Sequence, residues 1–438
     1  MEENWKDENW KSEGKRDPGD EGKRDPRGDH HIAPRSLGTA PDAETPWAYK
    51  GKKDTPLGEY DVIIVGCGLS GGVIARRLAE EEKKRVLVIE KRRHIGGNCY
   101  DYVDSDTGIL MNMYGAHLFH TNSKRVFDFI NRFGKWVRWE HEVVGNIDGQ
   151  LCPIPPNITT VNKVCGEQIQ TVEEMNKWLQ SQQCKYKEIK NGEQMAKSRV
   201  GPVLYEKIFK HYTFKQWKKY PQELDKSILA RIPCRNNFDT RYFGDKYQVL
   251  PKDGYTSFFV DLLEHKNIDV RLNTDFFDLK KDIPTDKLIV YTGPVDLYFA
   301  SQGHERLEYR SINFHIERYL NYGFYQANSV VNYPGKEVEF TRIVEYKHFL
   351  NQKSPHTVIV KETTTDKGDP YYPVLNERNM ELFSKYKKLA DAEKNVHFVG
   401  RLANYKYFNM DAAILNSLEY FDEQLASEPT IKVAASNQ

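Results

Sequence analysis

A glycine-rich turn between two buried apolar segments most constrains what this chain can fold into. Residues 61–65, Asp-Val-Ile-Ile-Val, form an apolar segment of strand length, which is typical of a parallel strand covered on both faces. The spacing Gly-x-Gly-x-x-Gly follows at 66–71, and residues 73–82 have helical character. A second apolar segment, residues 85–90, ends in Glu90. This βαβ unit of about 30 residues predicts a Rossmann-type dinucleotide-binding half-domain.

Each glycine of the turn has its own mechanical role. Gly66 permits the tight turn from strand to helix, Gly68 leaves room for a pyrophosphate, and Gly71 lets the helix pack close to the strand. The phosphates are then expected at the free backbone N–H groups where the helix begins. Glu90, at the end of the second strand, is expected to accept a hydrogen bond from a ribose hydroxyl.

The residues after Glu90 favour FAD over a nicotinamide cofactor. Residues 91–98 read Lys-Arg-Arg-His-Ile-Gly-Gly-Asn, a pattern that resembles the FAD-binding sequence of glutathione-reductase-like flavoproteins. A late basic residue, Arg401, follows a predicted strand at 396–400 and is placed to contact the pyrophosphate or the flavin. The predicted FAD contacts are Gly66, Gly68, Leu69, Ser70, Gly71, Glu90, Lys91, Gly97, Asn98, Arg401 and Met410.

Composition and charge exclude several other classes of protein. The chain has 64 Lys and Arg against 63 Asp and Glu, so its charge gives no case for binding nucleic acid. No segment approaches the roughly 18 apolar residues of a membrane span, and the charged N-terminus lacks a secretory apolar region. None of the 6 cysteines forms a Cys-x-x-Cys pair, so neither a metal site nor a disulfide framework is indicated. The expected location is cytoplasmic.

Residues 1–58 differ in composition from the rest of the chain. They contain two short duplications, Glu-Asn-Trp-Lys at 3–6 and 8–11, and Glu-Gly-Lys-Arg-Asp-Pro at 13–18 and 21–26. Such a charged sequence, rich in Pro and Gly, cannot bury enough apolar surface to offset the entropy lost on ordering, so a disordered tail is predicted.

The remainder is predicted to be an α/β protein, in which a Rossmann-type FAD-binding domain carries an inserted helical domain and an antiparallel β-sheet domain. Alternating apolar residues predict antiparallel strands between 307 and 362, and i, i+3, i+4 spacing predicts helices at 172–179 and 204–209. The predicted boundaries are 59–135, 251–306 and 376–425 for the FAD-binding domain, 136–156, 227–250 and 307–375 for the sheet domain, 157–226 for the helical domain, and 426–438 for a terminal tail.

Several longer sequences carry a resemblance to one family. They are Tyr-Gly-Ala-His-Leu-Phe-His-Thr at 114–121, Tyr-Thr-Phe-Lys-Gln-Trp at 212–217, Arg-Ile-Pro at 231–233, Tyr-Thr-Gly-Pro at 291–294, Leu-Glu-Tyr-Arg-Ser at 307–311, Thr-Arg-Ile-Val-Glu-Tyr-Lys-His-Phe at 341–349, Pro-Tyr-Tyr-Pro at 370–373 and Arg-Leu-Ala-Asn-Tyr-Lys-Tyr at 401–407. From about residue 60 to about residue 423 the chain resembles the bacterial-type UDP-galactopyranose mutases.

The resemblance implies an isomerase that interconverts UDP-galactopyranose and UDP-galactofuranose through a flavin N5–sugar adduct on reduced FAD. An external reductant such as NAD(P)H would supply the electrons, and a homodimer is one candidate assembly. The implied catalytic residues are the diphosphate-binding Arg231 and Arg342, with His117 and His120 in a loop beside the flavin. The implied substrate-binding residues are Tyr212 and Trp217 for the uridine, Tyr242, Tyr372 and Tyr407 for the phosphates, Arg310 and Asn409.

Three features qualify this expectation. The family usually has Asp where this chain has Asn409 and often has Glu where it has Asn404, which bears on substrate affinity and loop control. Residues 216–226 match a mobile lid that would exclude water from a glycosyl intermediate. Two other functions stay open: a flavin oxidase or dehydrogenase related to amine oxidases, which needs no pair of diphosphate-binding arginines, and a non-catalytic UDP-sugar binding protein.

Overall fold

A computed structural model describes residues 55–230 and 233–427. Most of the predicted N-terminal tail, residues 1–54, therefore lies outside the described residues, as does the end of the chain from 428. Arg231, one of the two arginines implied to bind diphosphate, also lies outside them.

The strands of the described residues belong to four sheets. The strands are β1 (Val62–Val65), β2 (Val86–Ile89), β3 (Asp101–Val103), β4 (Leu110–Asn112), β5 (Phe119–Thr121), β6 (Trp136–Arg138), β7 (Val143–Ile147), β8 (Gln150–Ile154), β9 (Tyr247–Pro251), β10 (Ile268–Arg271), β11 (Leu288–Tyr291), β12 (Tyr309–Tyr319), β13 (Val330–Asn332), β14 (Arg342–Glu345), β15 (Thr357–Thr365), β16 (Tyr372–Pro373) and β17 (Val396–Phe398).

The α-helices are α1 (Leu69–Glu80), α2 (Lys124–Ile130), α3 (Ile158–Cys165), α4 (Val172–Gln182), α5 (Gly192–Leu204), α6 (His211–Trp217), α7 (Ser227–Ala230), α8 (Tyr255–Leu263), α9 (Phe276–Leu279), α10 (Val295–Tyr298), α11 (Glu377–Ala392) and α12 (Met410–Tyr420). Among the residues that the structure describes, no helix combines the length and the apolar character needed to cross a bilayer.

A parallel sheet in the order β10-β2-β1-β11-β17 forms the first layer. Val62 and Ile64 of β1 pack into one core with side chains of α1, α8 and α12, whereas Ile63 packs into a second core on the opposite face. Both faces of β1 are therefore buried, which explains its continuous apolar sequence. The helix after the glycine turn begins at Leu69, four residues before the predicted start, because Gly68 is already its N-cap.

A larger sheet in the order β16-β12-β15-β14-β13-β7-β8 is antiparallel except between β13 and β7. Its centre is the long pair β12 and β15, which confirms the antiparallel strands predicted between 307 and 362. β9 falls in the segment 227–250 assigned to this sheet domain and extends to Pro251, yet it pairs with β5 and β6 in a separate small sheet. With the parallel sheet, this arrangement confirms the predicted α/β class with an antiparallel sheet; the exact domain boundaries stay predictions.

Helices α3 to α6 lie within the segment 157–226 predicted to be helical, whereas α7 begins at Ser227, in the segment assigned to the sheet domain. α4 begins with a capping box in which the Thr171 side chain and the Glu174 side chain each accept a hydrogen bond from the other residue's backbone N–H. The helix predicted at 204–209 is instead a widened π-helical turn at Tyr205–Lys210, between α5 and α6. Tyr205, Ile208 and Phe209 are buried as expected, since the spacing indicates which side chains face the core but does not distinguish these two kinds of turn.

Candidate active site

The glycine turn at the end of β1 has geometry that side chains would not allow. Gly66 has φ +103°, and a Cβ there would lie 2.2 Å from the Thr292 side-chain oxygen. A Cβ on Gly71 would lie 2.0 Å from the Gly66 carbonyl oxygen, because α1 passes directly over the strand end. Gly97 faces the same turn, and a Cβ on it would come within 2.9 Å of the Gly68 Cα. These contacts keep the turn closed and leave the start of α1 open to a groove.

Glu90 fixes the shape of this turn from the neighbouring strand. Its side chain is 7% exposed, and its two carboxylate oxygens accept hydrogen bonds from the backbone N–H groups of Cys67 and Arg92, each at 2.9 Å. The carboxylate also lines the groove. Because each carboxylate oxygen can accept more than one hydrogen bond, Glu90 retains acceptor capacity for a ligand hydroxyl.

Most of the predicted FAD contacts border this groove. It runs along the ends of the parallel strands and is lined by Gly66, Gly68, Leu69, Ser70, Glu90, Lys91, Gly97, Asn98, Arg401 and Met410, together with His117 and Asn409. Gly71 does not line the groove, but its close packing on Gly66 fixes the turn that does. Asn409 was expected to bind the substrate. It is the N-cap residue of α12 and lines this same groove.

An ion pair links the two sides of the groove and was not expected from the sequence. Arg92, after β2, and Asp369, between β15 and β16, form a salt bridge at 2.8 Å, and Lys91 lies 3.2 Å from the same carboxylate. The guanidinium of Arg92 also lies 4.3 Å from the centre of the Tyr114 ring and donates to Asn98. Burial disfavours the charged carboxylate, but the two cations outweigh it and lower the pKa of Asp369. No sequence motif predicted this pair, because its halves lie 277 residues apart.

His117 reaches the groove as a neutral imidazole. Its Nδ1 lies 2.7 Å from the Gly115 carbonyl oxygen, so Nδ1 carries the proton and Nε2 is left as an acceptor. Burial, followed by the nearby charges of Arg401 and Arg342, lowers the pKa of His117 to about 4. The side chain can therefore accept a hydrogen bond at neutral pH.

The structure does not place His120 among the residues that line the groove. Its Nδ1 lies 2.9 Å from the Asp245 carboxylate, and its ring stacks on Phe243 with 3.7 Å between ring centres. His117 precedes β5, whereas His120 lies within β5 and contacts Asp245 and Phe243 of the segment before β9.

Arg342 begins β14 and forms an ion pair with Glu362 of β15, with 2.8 Å between Nε and the carboxylate. Burial opposes the charge on Arg342, but Glu362 and the hydroxyl of Tyr212 outweigh it and raise the pKa of the guanidinium well above its usual range. Glu362 is 2% exposed, and its second oxygen has no hydrogen-bond partner within the described protein. Sequence reasoning missed Glu362, because its position directly opposite Arg342 depends on the register of β14 and β15, which only the structure shows.

Tyr372 and Tyr407 are stacked with 5.2 Å between ring centres and 10° between ring planes. Trp217 is buried and packs against both rings, at 6.2 Å and 6.3 Å. The guanidinium of Arg401 lies 5.7 Å from the Tyr372 ring centre and 5.4 Å from that of Tyr407. Arg401 therefore contacts Tyr372 and Tyr407 and also lines the groove at the start of α1, which is called the dinucleotide groove below.

Tyr212, on α6, lies near enough to Arg342, Tyr242 and Tyr407 for each to influence its ionisation, although burial is the main reason that its pKa is raised. These residues come from segments that are distant in the chain and are neighbours in the structure. The region bordered by Tyr212, Trp217, Tyr242, Arg342, Tyr372 and Tyr407 is called the cleft below.

Arg310 is buried beside this cleft. It pairs in register with Tyr372 and donates a hydrogen bond of 3.1 Å to the Thr364 hydroxyl, while its Nε has no partner in the described protein. Burial lowers the pKa of Arg310. Asn404, the other departure from the family pattern, donates its side-chain N–H to the Gly400 carbonyl and so braces the segment that carries Arg401.

Comparisons with known proteins agree with this geometry. A family model described as UDP-galactopyranose mutase matches residues 207–407, and one described as an NAD(P)-binding Rossmann-like domain matches residues 64–133. A Klebsiella pneumoniae protein named "Probable UDP-galactopyranose mutase" is 37% identical over 85% of this chain and 96% of its own length. An Escherichia coli protein named dTDP-fucopyranose mutase is 35% identical over 82% of this chain and 96% of its own length.

Among solved structures, the crystal structure of a reduced UDP-galactopyranose mutase superposes with a TM-score of 0.67 at 15% identity, covering 85% of this chain and 95% of that one, and it supports the fold. The family expected from the sequence is thus confirmed by the extent of the Klebsiella match, which covers most of both chains. The chain belongs to the UDP-galactopyranose mutase family.

Proposed function

We propose that this isomerase interconverts UDP-galactopyranose and UDP-galactofuranose and that it does so with reduced FAD. The observation that carries the proposal is the position of Arg401, which borders the dinucleotide groove and also contacts the stacked pair Tyr372 and Tyr407. A cofactor in the groove and a sugar nucleotide in the cleft would therefore meet at this residue.

The groove residues fit a flavin dinucleotide. Gly68 and Gly97 keep side chains out of the turn, the start of α1 offers backbone N–H groups to phosphate, and Glu90 has acceptor capacity for a ribose. Bound reduced FAD would supply the nucleophilic nitrogen for attack at the anomeric carbon of the sugar. His117, neutral and with Nε2 unprotonated, would accept a hydrogen bond at the edge of the cofactor.

The cleft residues suit a departing diphosphate. When the anomeric C–O bond breaks, negative charge develops on UDP, and a fixed cation stabilises it most in a site shielded from water. Arg342 is held in place by Glu362 and keeps its charge, and its other guanidinium nitrogens can donate to phosphate oxygens. We assign Arg231 the same role by resemblance, and Tyr242, Tyr372 and Tyr407 the role of hydroxyl donors. Tyr212 and Trp217 would contact the uridine.

We include the expected lid, residues 216–226, in the proposal. Trp217, Pro221 and Leu224 of this segment are buried, so we expect closure to move the exposed residues between and after them. The ion pair between Lys219 and Glu308, at 3.7 Å, restrains those residues only weakly, because exposed ion pairs contribute about 0–1 kcal/mol. Closure over UDP would then protect the reacting sugar from water.

Product analysis tests the proposal directly. Purified protein should bind FAD and, after reduction with dithionite without oxygen, should convert UDP-galactofuranose to UDP-galactopyranose without consuming reductant stoichiometrically. Oxidised protein should be inactive. A protein that binds no FAD, or one that oxidises the sugar and consumes oxygen as an oxidase would, contradicts the proposal.

The Escherichia coli relative favours one second candidate. Its 35% identity is close to the 37% of the Klebsiella relative, so a dTDP-6-deoxysugar is a reasonable alternative substrate. Parallel assays with UDP-galactofuranose and dTDP-fucofuranose decide between them, and we expect a higher kcat/KM for the UDP-sugar.

We further propose a cytoplasmic location, NAD(P)H as a physiological reductant, and a homodimer as the assembly to test first.

A further inference from the structure

Tyr242 lies in a segment without regular secondary structure. Residues 241–245 include one isolated bridge, between Glu142 and Arg241, and the chain enters β9 only at Tyr247. Side-chain contacts must therefore fix the direction in which Tyr242 points. The segment 241–245 is called the tyrosine segment below.

Asp245 anchors the C-terminal end of the tyrosine segment to β5. One of its carboxylate oxygens lies 2.9 Å from the Nδ1 of His120, and the other accepts a hydrogen bond of 2.9 Å from the Asn122 side chain. His120 belongs to β5, which is hydrogen-bonded to β9, so its backbone is held by a sheet. The His120 side chain is only 12% exposed, which limits the directions it can take.

The His120 ring forms one wall for Phe243. The two rings are stacked with 3.7 Å between their centres and 14° between their planes. Phe243 also meets Tyr242 edge to face, with ring centres 4.9 Å apart and planes at 89°. Phe243 therefore contacts both His120 and Tyr242 and connects the two rings.

His141 completes the support of Tyr242 from the opposite direction. The Tyr242 N–H donates a hydrogen bond of 2.6 Å to the His141 carbonyl, and the two rings meet at 5.9 Å. His141 holds the backbone of Tyr242 and Phe243 contacts its ring, and Tyr242 packs against the same core cluster as Tyr372 and Tyr407.

We propose that His120 is a positioning residue for Tyr242, acting through Phe243 and Asp245, and not a residue that contacts the cofactor. The inference rests on the proposed function, in which Tyr242 donates to the diphosphate. It replaces the expectation drawn from the resemblance, which placed His120 beside the flavin.

UDP affinity of the FAD-loaded protein tests this role without depending on catalysis. We expect His120→Ala to weaken UDP binding by about tenfold, because a misplaced Tyr242 loses part of its hydrogen bond to the charged diphosphate. His120→Phe keeps the stack on Phe243 and should weaken UDP binding by less than about threefold. Both variants should retain wild-type FAD content and an unchanged flavin absorbance spectrum.

A double-mutant cycle distinguishes action through Tyr242 from an independent role. If His120 acts through Tyr242, the double variant His120→Ala/Tyr242→Phe should bind UDP within about twofold of Tyr242→Phe alone. His265→Ala, which changes a histidine in the turn after α8, is the matched control and should leave UDP binding unchanged. Melting temperatures of all the variants identify any loss of UDP affinity that is caused by misfolding alone.

Three results would overturn the inference: additive losses in the cycle, an altered flavin spectrum in His120→Phe, or unchanged UDP affinity in His120→Ala while Tyr242→Phe binds weakly. Failure of the proposed function would give a different result: the wild-type protein would bind UDP but would form no UDP-galactopyranose. In that case a UDP affinity that responds to His120 as described still supports the positioning role.

Discussion

The dinucleotide groove and the substrate cleft are built in different ways, although Arg401 belongs to both. The glycine turn, α1 and the end of β2 come from one continuous segment of about 30 residues, and their contacts are short in sequence. The cleft joins α6, β14, β15, β16 and the segment before α12, so its contacts span the inserted domains. The glycine turn of the groove depends on backbone shape, whereas the cleft depends on side chains that hold one another in place. The two regions should therefore respond differently to substitution.

Gly71→Ala should have the largest effect, because it acts on the backbone of the groove. The added Cβ would lie 2.0 Å from the Gly66 carbonyl, so α1 must move away from β1. Overpacking of this kind costs about 1–3 kcal/mol or more, and we expect FAD content, measured by absorbance at purification, to fall close to zero. Gly58→Ala, where no atom lies within 4 Å of the new Cβ, is the matched control and should bind FAD normally.

Arg342→Ala should damage the cleft while sparing the groove. It leaves Glu362, which is 2% exposed, without its cation, and removing one partner of a buried pair costs about 3–5 kcal/mol. Because the Arg342 side chain is itself 26% exposed, we expect the lower end of that range in urea unfolding, with a large rise in KM. Adding Glu362→Gln should recover much of the stability but none of the substrate affinity. Equal loss of FAD and of UDP binding would mean that the two sites are not separable.

Acid should weaken the support of the cleft through His141. Burial, followed by the charges of Arg342 and His120, lowers the pKa of His141 to about 3, below the usual value near 6.5. The unfolded chain therefore binds a proton that the folded chain does not, so His141 contributes stability that is present above pH 6.5 and is lost as the pH falls toward 3. The expected slope is up to about 1.4 kcal/mol per pH unit for this residue. Urea unfolding between pH 7 and pH 5 should show a shallower slope in His141→Gln than in wild type.

Asp369→Asn should have the smallest effect, and it tests a contact in the groove that is made between residues far apart in the chain. The ion pair with Arg92 crosses the groove, but the Asp369 side chain is 38% exposed, so its contribution is about 0.2–1 kcal/mol. We expect FAD to dissociate about two- to fivefold faster, measured by the rise in flavin fluorescence after dilution. Asp391→Asn breaks an exposed pair with Lys387 outside the groove and should leave the rate unchanged. An identical rate in Asp369→Asn would show that the ion pair does not retain the cofactor.

The division between the two regions also explains which site residues sequence reasoning could find. Glu90 was predictable because its distance from the glycine turn is set by one strand and one helix of ordinary length. Arg342, Tyr372 and Tyr407 were named only through the resemblance to a family, since nothing in their local spacing indicates a common cleft. Glu362 and Asp369 were missed because each is defined by a partner in another segment. His120 does not line the groove, because it contacts Asp245 and Phe243, which are far from it in the chain.

By itself, the sequence determined the dinucleotide-binding half-domain, the α/β class and the family, because these depend on local backbone preferences and on long matching segments. Only the tertiary structure decided that Glu362 fixes Arg342, that Asp369 bridges the groove, and that His120 supports Tyr242 through Phe243. The physical reason is that a side chain's partner depends on strand register and on the packing of inserted domains, and these are set by contacts between residues far apart in the chain.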